Sequence, residues 1–217
     1  MNLAKYQTLV FDCDGVVLNS NKVKTEAFFK AALPYGEAAA QQLVDYHVAR
    51  GGISRYKKFE WFVDNVVAGQ AGPNLEQLLA AYAAEVRHGL LTCDIAEGLA
   101  ELKAKTPQAN WLIVSGGDQE ELREVFAARD IAKYFDGGIF GSPDSKDLIL
   151  ARELLSGNIQ KPALFFGDSK YDFRASSDAG LAFIFLIDWS EVYDLNSFCA
   201  ENNLITAQNI GMLNSLN

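Results

Sequence analysis

Cysteine is scarce in this chain of 217 residues, and its three cysteines, Cys13, Cys93 and Cys199, lie far apart. Their spacing matches neither a zinc-binding motif nor the dense pattern of a disulfide-stabilised domain. We therefore predict that the protein works in a reducing compartment, the cytoplasm. The first apolar run is stopped at Asp12, so the sequence predicts no secretory signal peptide.

Positive charge is in deficit, because 19 Lys and Arg face 28 Asp and Glu, which gives a net charge of −9. This balance argues against nucleic acid or an anionic membrane surface as the main partner, since both require a basic face. Long hydrophobic runs are also missing. The longest, Leu181–Ile187, is far too short to span a bilayer. An anionic substrate would need a local cluster of positive charge.

Four helical segments follow the first apolar run without a strand between them, which predicts a small helical bundle. The third of these helices begins after Ser54, a residue that favours the N-cap position. The others are predicted at Asn21–Leu33, Glu37–Arg50 and Leu75–Arg87, the last ending before Gly89.

After the bundle, short apolar strands alternate with helices, which predicts a parallel sheet covered on both faces. The run Leu9–Phe11 belongs to this sheet as its first strand. The sequence thus predicts an α/β fold, a Rossmann-like three-layer core of residues 1–17 and 89–217 with an all-α cap of residues 18–88 inserted. The strands are predicted at 111–114, 138–140, 163–166, 182–187 and 204–207; the helices at 95–105, 118–129, 147–155, 172–179, 197–201 and the last residues.

Polar side chains follow four of the predicted strands at the point where each strand ends. In open parallel sheets, ligands bind beyond the carboxyl ends of the strands, so these groups should converge on one crevice. They are Asp12 and Asp14 after the first strand, Ser115, Gly116 and Gly117 after the second, Lys146 shortly after the third, and Asp168 and Asp172 after the fourth.

This set of residue types suits phosphoryl transfer. Asp12 could act as a nucleophile that forms an aspartyl phosphate, and Asp14 lies near enough to give and take a proton at the leaving group. Asp12 and Asp168 could share a divalent cation supported by Asp172, and Mg²⁺ is favoured because it accepts few carboxylates and keeps water and substrate phosphate. Ser115 with the Gly116 amide could hold phosphate oxygens, and Lys146 could neutralise the transferring group.

These motifs resemble those of the haloacid dehalogenase superfamily, in the branch with a helical cap that includes phosphoglycolate phosphatase and β-phosphoglucomutase. Phe11-Asp12-Cys13-Asp14-Gly15-Val16 resembles the first motif, Ser115 the second, Lys146 the third and the segment from Gly167 to Asp172 the fourth. The resemblance implies that Asp12 attacks phosphorus, that Asp14 is the acid and base, and that Asp12, the Asp14 carbonyl and Asp168 hold Mg²⁺. A second acid at Asp14 argues against a dehalogenase.

The cap is expected to select the substrate. Gly51-Gly52-Ile53-Ser54-Arg55 resembles the cap loop of the mutase branch, which implies that Arg55 reaches a distal phosphate or polar group of the substrate. Arg50, Arg55, Lys57 and Lys58 form a basic island in an acidic chain. We therefore predict a substrate with a second anionic group, with Arg55 and Lys57 as its cap ligands. Cys13 is assigned to core packing, and His47 and His88 are assigned structural roles or exposed positions.

The leading interpretation is a Mg²⁺-dependent phosphatase that acts on a small phosphorylated metabolite, a sugar phosphate or a similar compound. A phosphosugar mutase that uses the same aspartyl phosphate is the alternative within the same chemistry. A signalling receiver domain and a non-catalytic phosphometabolite-binding protein are alternatives of other classes. The sequence leaves open whether the protein is a monomer or a homodimer.

Overall fold

In residues 2–213, which a computed structural model of the protein describes, six strands form one parallel sheet in the order β3-β2-β1-β4-β5-β6. The central strand β1 is buried along its whole length and apolar from Leu9 to Phe11, as expected for a strand covered on both faces. The strands are β1 Thr8–Phe11, β2 Asn110–Asp118, β3 Gly138–Ser142, β4 Ala163–Gly167, β5 Ala182–Leu186 and β6 Ile205–Ala207.

Four helices lie between β1 and β2 and pack against one another. Their aromatic side chains form the centre of this bundle, where Phe28 contacts Phe59 and Tyr82 at ring-centroid distances of 5.1 and 4.4 Å. The predicted helical insertion is therefore confirmed, whereas the exact division at residues 18 and 88 stays a prediction. The helices are α1 Asn21–Ala32, α2 Glu37–Ala49, α3 Arg55–Asn65 and α4 Leu75–Thr92.

Helices cover both faces of the sheet, which confirms the three-layer core. Leu9 and Phe11 of β1 face one apolar cluster and Val10 faces the other, because side chains alternate along a strand. The covering helices are α5 Leu99–Lys105, α6 Gln119–Ala128, α7 Lys146–Leu155, α8 Lys170–Asp178, α9 Leu195–Glu201 and α10 Ile210–Leu213. Residues 214–217 of the predicted C-terminal helix lie outside the described residues.

The fourth helix is longer than predicted, since α4 continues through Gly89 to Thr92. We expected Gly89 to end the helix, and this was wrong. A Cβ atom at Gly89 would lie 2.2 Å from Cγ1 of Val23 on α1, so this glycine allows two helices to approach closely instead of ending one.

The two chain crossings between bundle and sheet run side by side. Leu18 and Ile95 form an isolated antiparallel bridge, and the Ala96 amide donates to the Val17 carbonyl at 2.8 Å. This pairing is why the helix predicted from Ile95 begins only at Leu99. Within residues 2–213, no helix combines the length and the apolar character needed to cross a bilayer.

Candidate active site

The carboxyl end of β1 is the centre of the site, because β1 lies between β2 and β4. Phe11 is paired with Ile113 on one side and with Phe166 on the other. The next residue, Asp12, donates its backbone amide to the Phe166 carbonyl at 2.9 Å. The polar groups that follow these three strands therefore meet at one edge of the sheet, as predicted.

Three buried carboxylates lie together at this edge. Asp12, Asp168 and Asp172 each offer an oxygen, and these oxygens lie within 4.8 Å of one another. Asp168 follows β4, and Asp172 lies in the first turn of α8. There it forms a capping box with Ser169, whose amide donates to Asp172 Oδ2 at 3.1 Å. Three acids this close require a compensating cation.

Lys146 supplies part of this compensation. It is the first residue of α7, it is fully buried, and its Nζ lies 2.9 Å from Asp12 Oδ1 and also contacts Asp172. Ser145 caps the same helix and fixes where it begins. The predicted lysine after the third strand thus lies beside the predicted nucleophile.

Asp14 turns away from the other acids. Its carboxylate lies 2.5 Å from Lys24 Nζ and accepts the Ser20 hydroxyl at 2.6 Å. Burial alone would raise the pKa of Asp14, but Lys24 and Ser20 hold it below its usual value. Its side chain is therefore separate from the acidic cluster, and metal binding by its backbone carbonyl stays a prediction.

The charges at this edge do not balance. When all four acids are ionised, Asp12, Asp14, Asp168 and Asp172 bring four negative charges, whereas Lys24 and Lys146 bring two positive ones. Burial, against the attraction of Lys146, raises the pKa of Asp12 to about 7. Burial and the neighbouring Asp12 raise the pKa of Asp168 well above its usual range. Two uncompensated negative charges on oxygen ligands fit a divalent hard cation such as Mg²⁺.

The end of β2, from Ser115 to Gly117, forms another wall of the site. The Ser115 side chain is fully buried, and its hydroxyl accepts the Gly117 amide at 3.0 Å. Gly116 and Gly117 line the same cavity as Asp12, and β2 runs through them to Asp118 with a register shift, further than predicted. Ser115 thus shapes the end of β2, while Gly116 and Gly117 present their backbone to the cavity.

A cap loop covers the site. Gly52 has a φ of +81°, and its carbonyl oxygen lies so close to Gly116 that a Cβ there would be 2.2 Å away. This loop borders an inner cavity of about 60 Å³ that Asp12 and Asp14 also line. The loop also borders an outer pocket of about 1000 Å³ that reaches Lys146 and Tyr171. The two spaces are neighbours across Gly51, Gly52 and Ile53.

The two predicted cap ligands have different surroundings. Arg55 is buried, lines the inner cavity and forms an ion pair with Glu121 at the start of α6. Its guanidinium lies 4.6 Å from the ring centroid of Tyr82. Lys57 is exposed and lines the outer pocket. The structure therefore separates Arg55 from Lys57.

Several polar residues that sequence reasoning did not assign to the site line the inner cavity, among them Asn21, Lys24, His47 and Lys58. Asn21 donates to Asp168 Oδ2 at 2.8 Å. His47 is buried, and its Nδ1 lies 2.7 Å from Lys58 Nζ. They lie on α1, α2 and α3, and the sequence holds no signal for which face of a cap helix covers the sheet. Of these residues, only Lys58 had a sequence feature that pointed to the site, its place in the basic island that follows Gly51 and Gly52.

Comparisons with known proteins agree with this architecture. The family model described as haloacid dehalogenase-like hydrolase matches residues 6–180. The chain is 24% identical over 187 residues to a phosphorylated carbohydrates phosphatase of Thermotoga maritima, and the aligned region covers 82% of this chain and 84% of that protein. The fold is similar to a predicted phosphoglycolate phosphatase from Haemophilus somnus 129PT (TM-score 0.74, 16% identity, 99% of each chain). It is also similar to β-phosphoglucomutase from Clostridium difficile (TM-score 0.69, 15% identity, 96% of this chain and 93% of that one).

Proposed function

The chain belongs to the haloacid dehalogenase-like hydrolases, and we propose that it is a Mg²⁺-dependent phosphatase that releases phosphate from a small phosphorylated metabolite. One observation carries this proposal. Asp12 is buried at the carboxyl end of the central strand, where Lys146 binds one of its oxygens and two further carboxylates lie within reach. A nucleophilic carboxylate for phosphoryl transfer needs this combination of orientation and compensating charge.

Asp12 is suited to attack phosphorus. Its Oδ1 accepts the Cys13 amide at 2.7 Å and contacts Lys146. In the described part of the chain, no hydrogen bond engages the other oxygen, Oδ2. In the proposed first step Oδ2 forms a bond to phosphorus, and the bond from phosphorus to the ester oxygen breaks. In the second step water attacks the aspartyl phosphate, and Asp12 leaves as a free carboxylate.

Asp14 would move the protons of both steps. Lys24 and Ser20 keep it charged, which is the form that accepts a proton from the attacking water. The ester oxygen that leaves in the first step must gain a proton. For Asp14 to donate it, its contact with Lys24 has to loosen. Lys24 belongs to the cap helix α1, so cap position and proton transfer would be connected.

Mg²⁺ would be held by the side chains of Asp12 and Asp168, with the Asp14 carbonyl as a further ligand. When bound, it would supply positive charge that draws the phosphate oxygens close and stabilises the transferring group. Both oxygens of Asp172 are engaged, one by Lys146 and one by Ser169, so Asp172 would orient Lys146. If Asp172 also binds the metal, the oxygen it uses must keep its contact with Lys146 or Ser169. Asn21 holds Asp168 in position.

The substrate phosphate would be bound by Lys146 and by backbone groups of Gly116 and Gly117. Backbone amides beside a positive charge are a common phosphate site. The similarity to a protein described as a phosphorylated carbohydrates phosphatase supports small phosphorylated metabolites as the substrate class. The small inner cavity supports the same class, because a macromolecular phosphate could not enter it.

The test is phosphate release from a panel of phosphorylated sugars, acids and nucleotides with Mg²⁺. We expect release from a few related compounds, loss of release in excess EDTA, and loss by at least about 10³-fold in Asp12→Asn. Asp64→Asn, an exposed acid on α3, is the matched control and should keep full activity.

The intermediate can be measured directly. Wild-type protein mixed with substrate and quenched with acid should gain the mass of one phosphoryl group at Asp12. Activity that survives in Asp12→Asn would exclude this nucleophile. Isomerised sugar phosphate without free phosphate would assign the mutase reaction instead, and binding without either product would assign a non-catalytic role.

A further inference from the structure

Lys58 and His47 form a buried polar pair on the cap side of the inner cavity. Lys58 lies on α3 and His47 on α2, and both are more than nine-tenths buried. Lys58 Nζ lies 2.7 Å from His47 Nδ1 and 5.5 Å from the ring centroid of Phe28. An ammonium group held against an apolar ring and one imidazole nitrogen has lost most of its water.

The pair presents donors that lack acceptors. With Lys58 as an ammonium group, which can only donate, His47 Nδ1 is assigned as the acceptor and the imidazole proton lies on Nε2. Within the described residues, Nε2 of His47 is a buried side-chain atom without any hydrogen-bond partner. No carboxylate in residues 2–213 forms an ion pair with Lys58. A buried cation without a carboxylate partner and a buried N–H without an acceptor are costly unless a ligand satisfies them.

The other cations that line the cavity are already paired. Lys24 is bound by Asp14 at 2.5 Å, and Arg55 is bound by Glu121. Glu191 also lines the cavity, but its carboxylate accepts the Thr25 hydroxyl at 3.2 Å. Burial and the nearby Lys24 lower the pKa of Lys58 to about 7, in spite of the attraction of Asp14 and Glu191. An added anion would compensate the charge of Lys58.

We propose that Lys58 and His47 bind a carboxylate of the substrate, which makes the substrate a small phosphorylated acid; this inference rests on the proposed phosphatase function. Two donors without an acceptor suit a group that only accepts, whereas a sugar hydroxyl would leave its own proton unpaired. The inner cavity of about 60 Å³ also contains the space above Asp12 and Asp14, so the group must be small and only a few bonds from the phosphate ester. A carboxylate meets both conditions.

The test compares two compounds that differ in one group. 2-Phosphoglycolate carries a carboxylate where 2-hydroxyethyl phosphate carries an alcohol. With Mg²⁺, we expect wild-type kcat/KM to favour 2-phosphoglycolate by about tenfold or more. Lys58→Met should bring the ratio close to one, and His47→Phe should reduce it while its ring keeps the packing against Phe28. Lys30→Met, an exposed lysine on α1, should leave the ratio unchanged.

A purely structural role of Lys58 would lower both rates equally and leave the ratio as it is, which would overturn the proposal. A wild-type ratio near one would do the same. If kcat/KM is higher for ethane-1,2-diol bisphosphate than for 2-phosphoglycolate, the carboxylate proposal is wrong and the pair binds a second phosphate of the substrate.

A binding measurement keeps this inference separate from the phosphatase proposal. Asp12→Asn protein, which should not turn over, is titrated with both compounds by calorimetry. We expect tighter binding of 2-phosphoglycolate, and loss of this preference in Asp12→Asn/Lys58→Met. If the wild type releases no phosphate but this preference is found, the phosphatase proposal fails and the carboxylate site stands. If phosphate is released but the preference is missing, only the carboxylate site fails.

Discussion

Lys146 is a single buried cation shared by two carboxylates, Asp12 and Asp172. Its attraction to Asp12 opposes the burial that raises the pKa of that acid, so Lys146 keeps part of the Asp12 population charged. The ion pair with Asp172 also holds the first turn of α7 against the first turn of α8. One residue therefore contributes both to the chemistry of the site and to the packing of two helices.

Lys146→Met should separate these two contributions. Without the ammonium group, three buried carboxylates face one another, so the free energy of unfolding in EDTA should fall by about 3–5 kcal/mol. Mg²⁺ should recover part of this loss, because a divalent cation fits the added negative charge, and it should bind the variant more tightly than the wild type. Turnover should fall by about 10²-fold or more even with saturating Mg²⁺.

Urea unfolding with and without Mg²⁺, together with phosphate release, measures all three effects. Lys30→Met, on the exposed surface of α1, serves as the control for removal of a lysine. Equal unfolding curves for wild type and Lys146→Met would contradict the buried ion pairs.

At the scale of elements, the site depends on a contact between two glycine segments. Gly52 in the loop between α2 and α3 lies directly against Gly116 at the end of β2, backbone to backbone. A side chain on Gly116 would push cap loop and sheet apart, whereas one on Gly52 would meet Ser169 and Tyr171 at 3.1 Å. The contact encloses the inner cavity, and exclusion of water from such a space strengthens every electrostatic interaction inside it.

Gly116→Ala should therefore act on the cap. Its Cβ would lie 2.2 Å from the Gly52 carbonyl oxygen, so the loop must shift away. We expect kcat/KM to fall by about 10²-fold, since a displacement of about 1 Å at a catalytic site costs that much. Gly157→Ala is the control, because its φ of +80° makes alanine strained although nothing lies near its Cβ. That variant should lose stability and keep its activity; unchanged kinetics in Gly116→Ala would exclude the proposed loop contact.

At the scale of the whole molecule, two ion pairs among the described residues connect cap helices to the core helix α6. Arg55 on α3 pairs with Glu121 on α6 in a nearly buried position. Arg87 on α4 pairs with Glu124 on the same core helix at 3.0 Å, but both side chains are more than half exposed. Of these two pairs, only Arg55–Glu121 lies beside the inner cavity, so of the two only this pair should stabilise the closed position of the cap.

A double-mutant cycle tests this difference. Arg55→Gln and Glu121→Gln should each lower kcat/KM by about tenfold, and the double variant should be no worse than the poorer single variant, because both remove one interaction. Arg87→Gln should change the free energy of unfolding by no more than about 1 kcal/mol and leave kcat/KM as it is. If Arg55 binds substrate independently of Glu121, as the sequence led us to predict, Glu121→Gln will be active while Arg55→Gln is not.

Much of the architecture could be predicted because it follows from local patterns. The apolar run before Asp12 and the alternation of strands and helices after the cap indicate a parallel sheet, and a parallel sheet brings its strand ends to one edge. For this reason Asp12, Lys146 and Asp168 could be assigned to one site without coordinates. Gly89 was misassigned because a glycine required for helix packing looks the same in sequence as a glycine that ends a helix.

The sequence by itself determined the catalytic edge, since strand order and side-chain alternation are enough to bring Asp12 and Asp168 together. Only the tertiary structure decided the substrate side of the cavity. Lys24, His47, Lys58 and Arg55 lie on three different cap helices, and their meeting depends on how those helices pack and how the cap lies on the sheet. Packing between helices is set by contacts distant in sequence, so no local pattern distinguishes the buried Lys58 from the exposed Lys57 beside it.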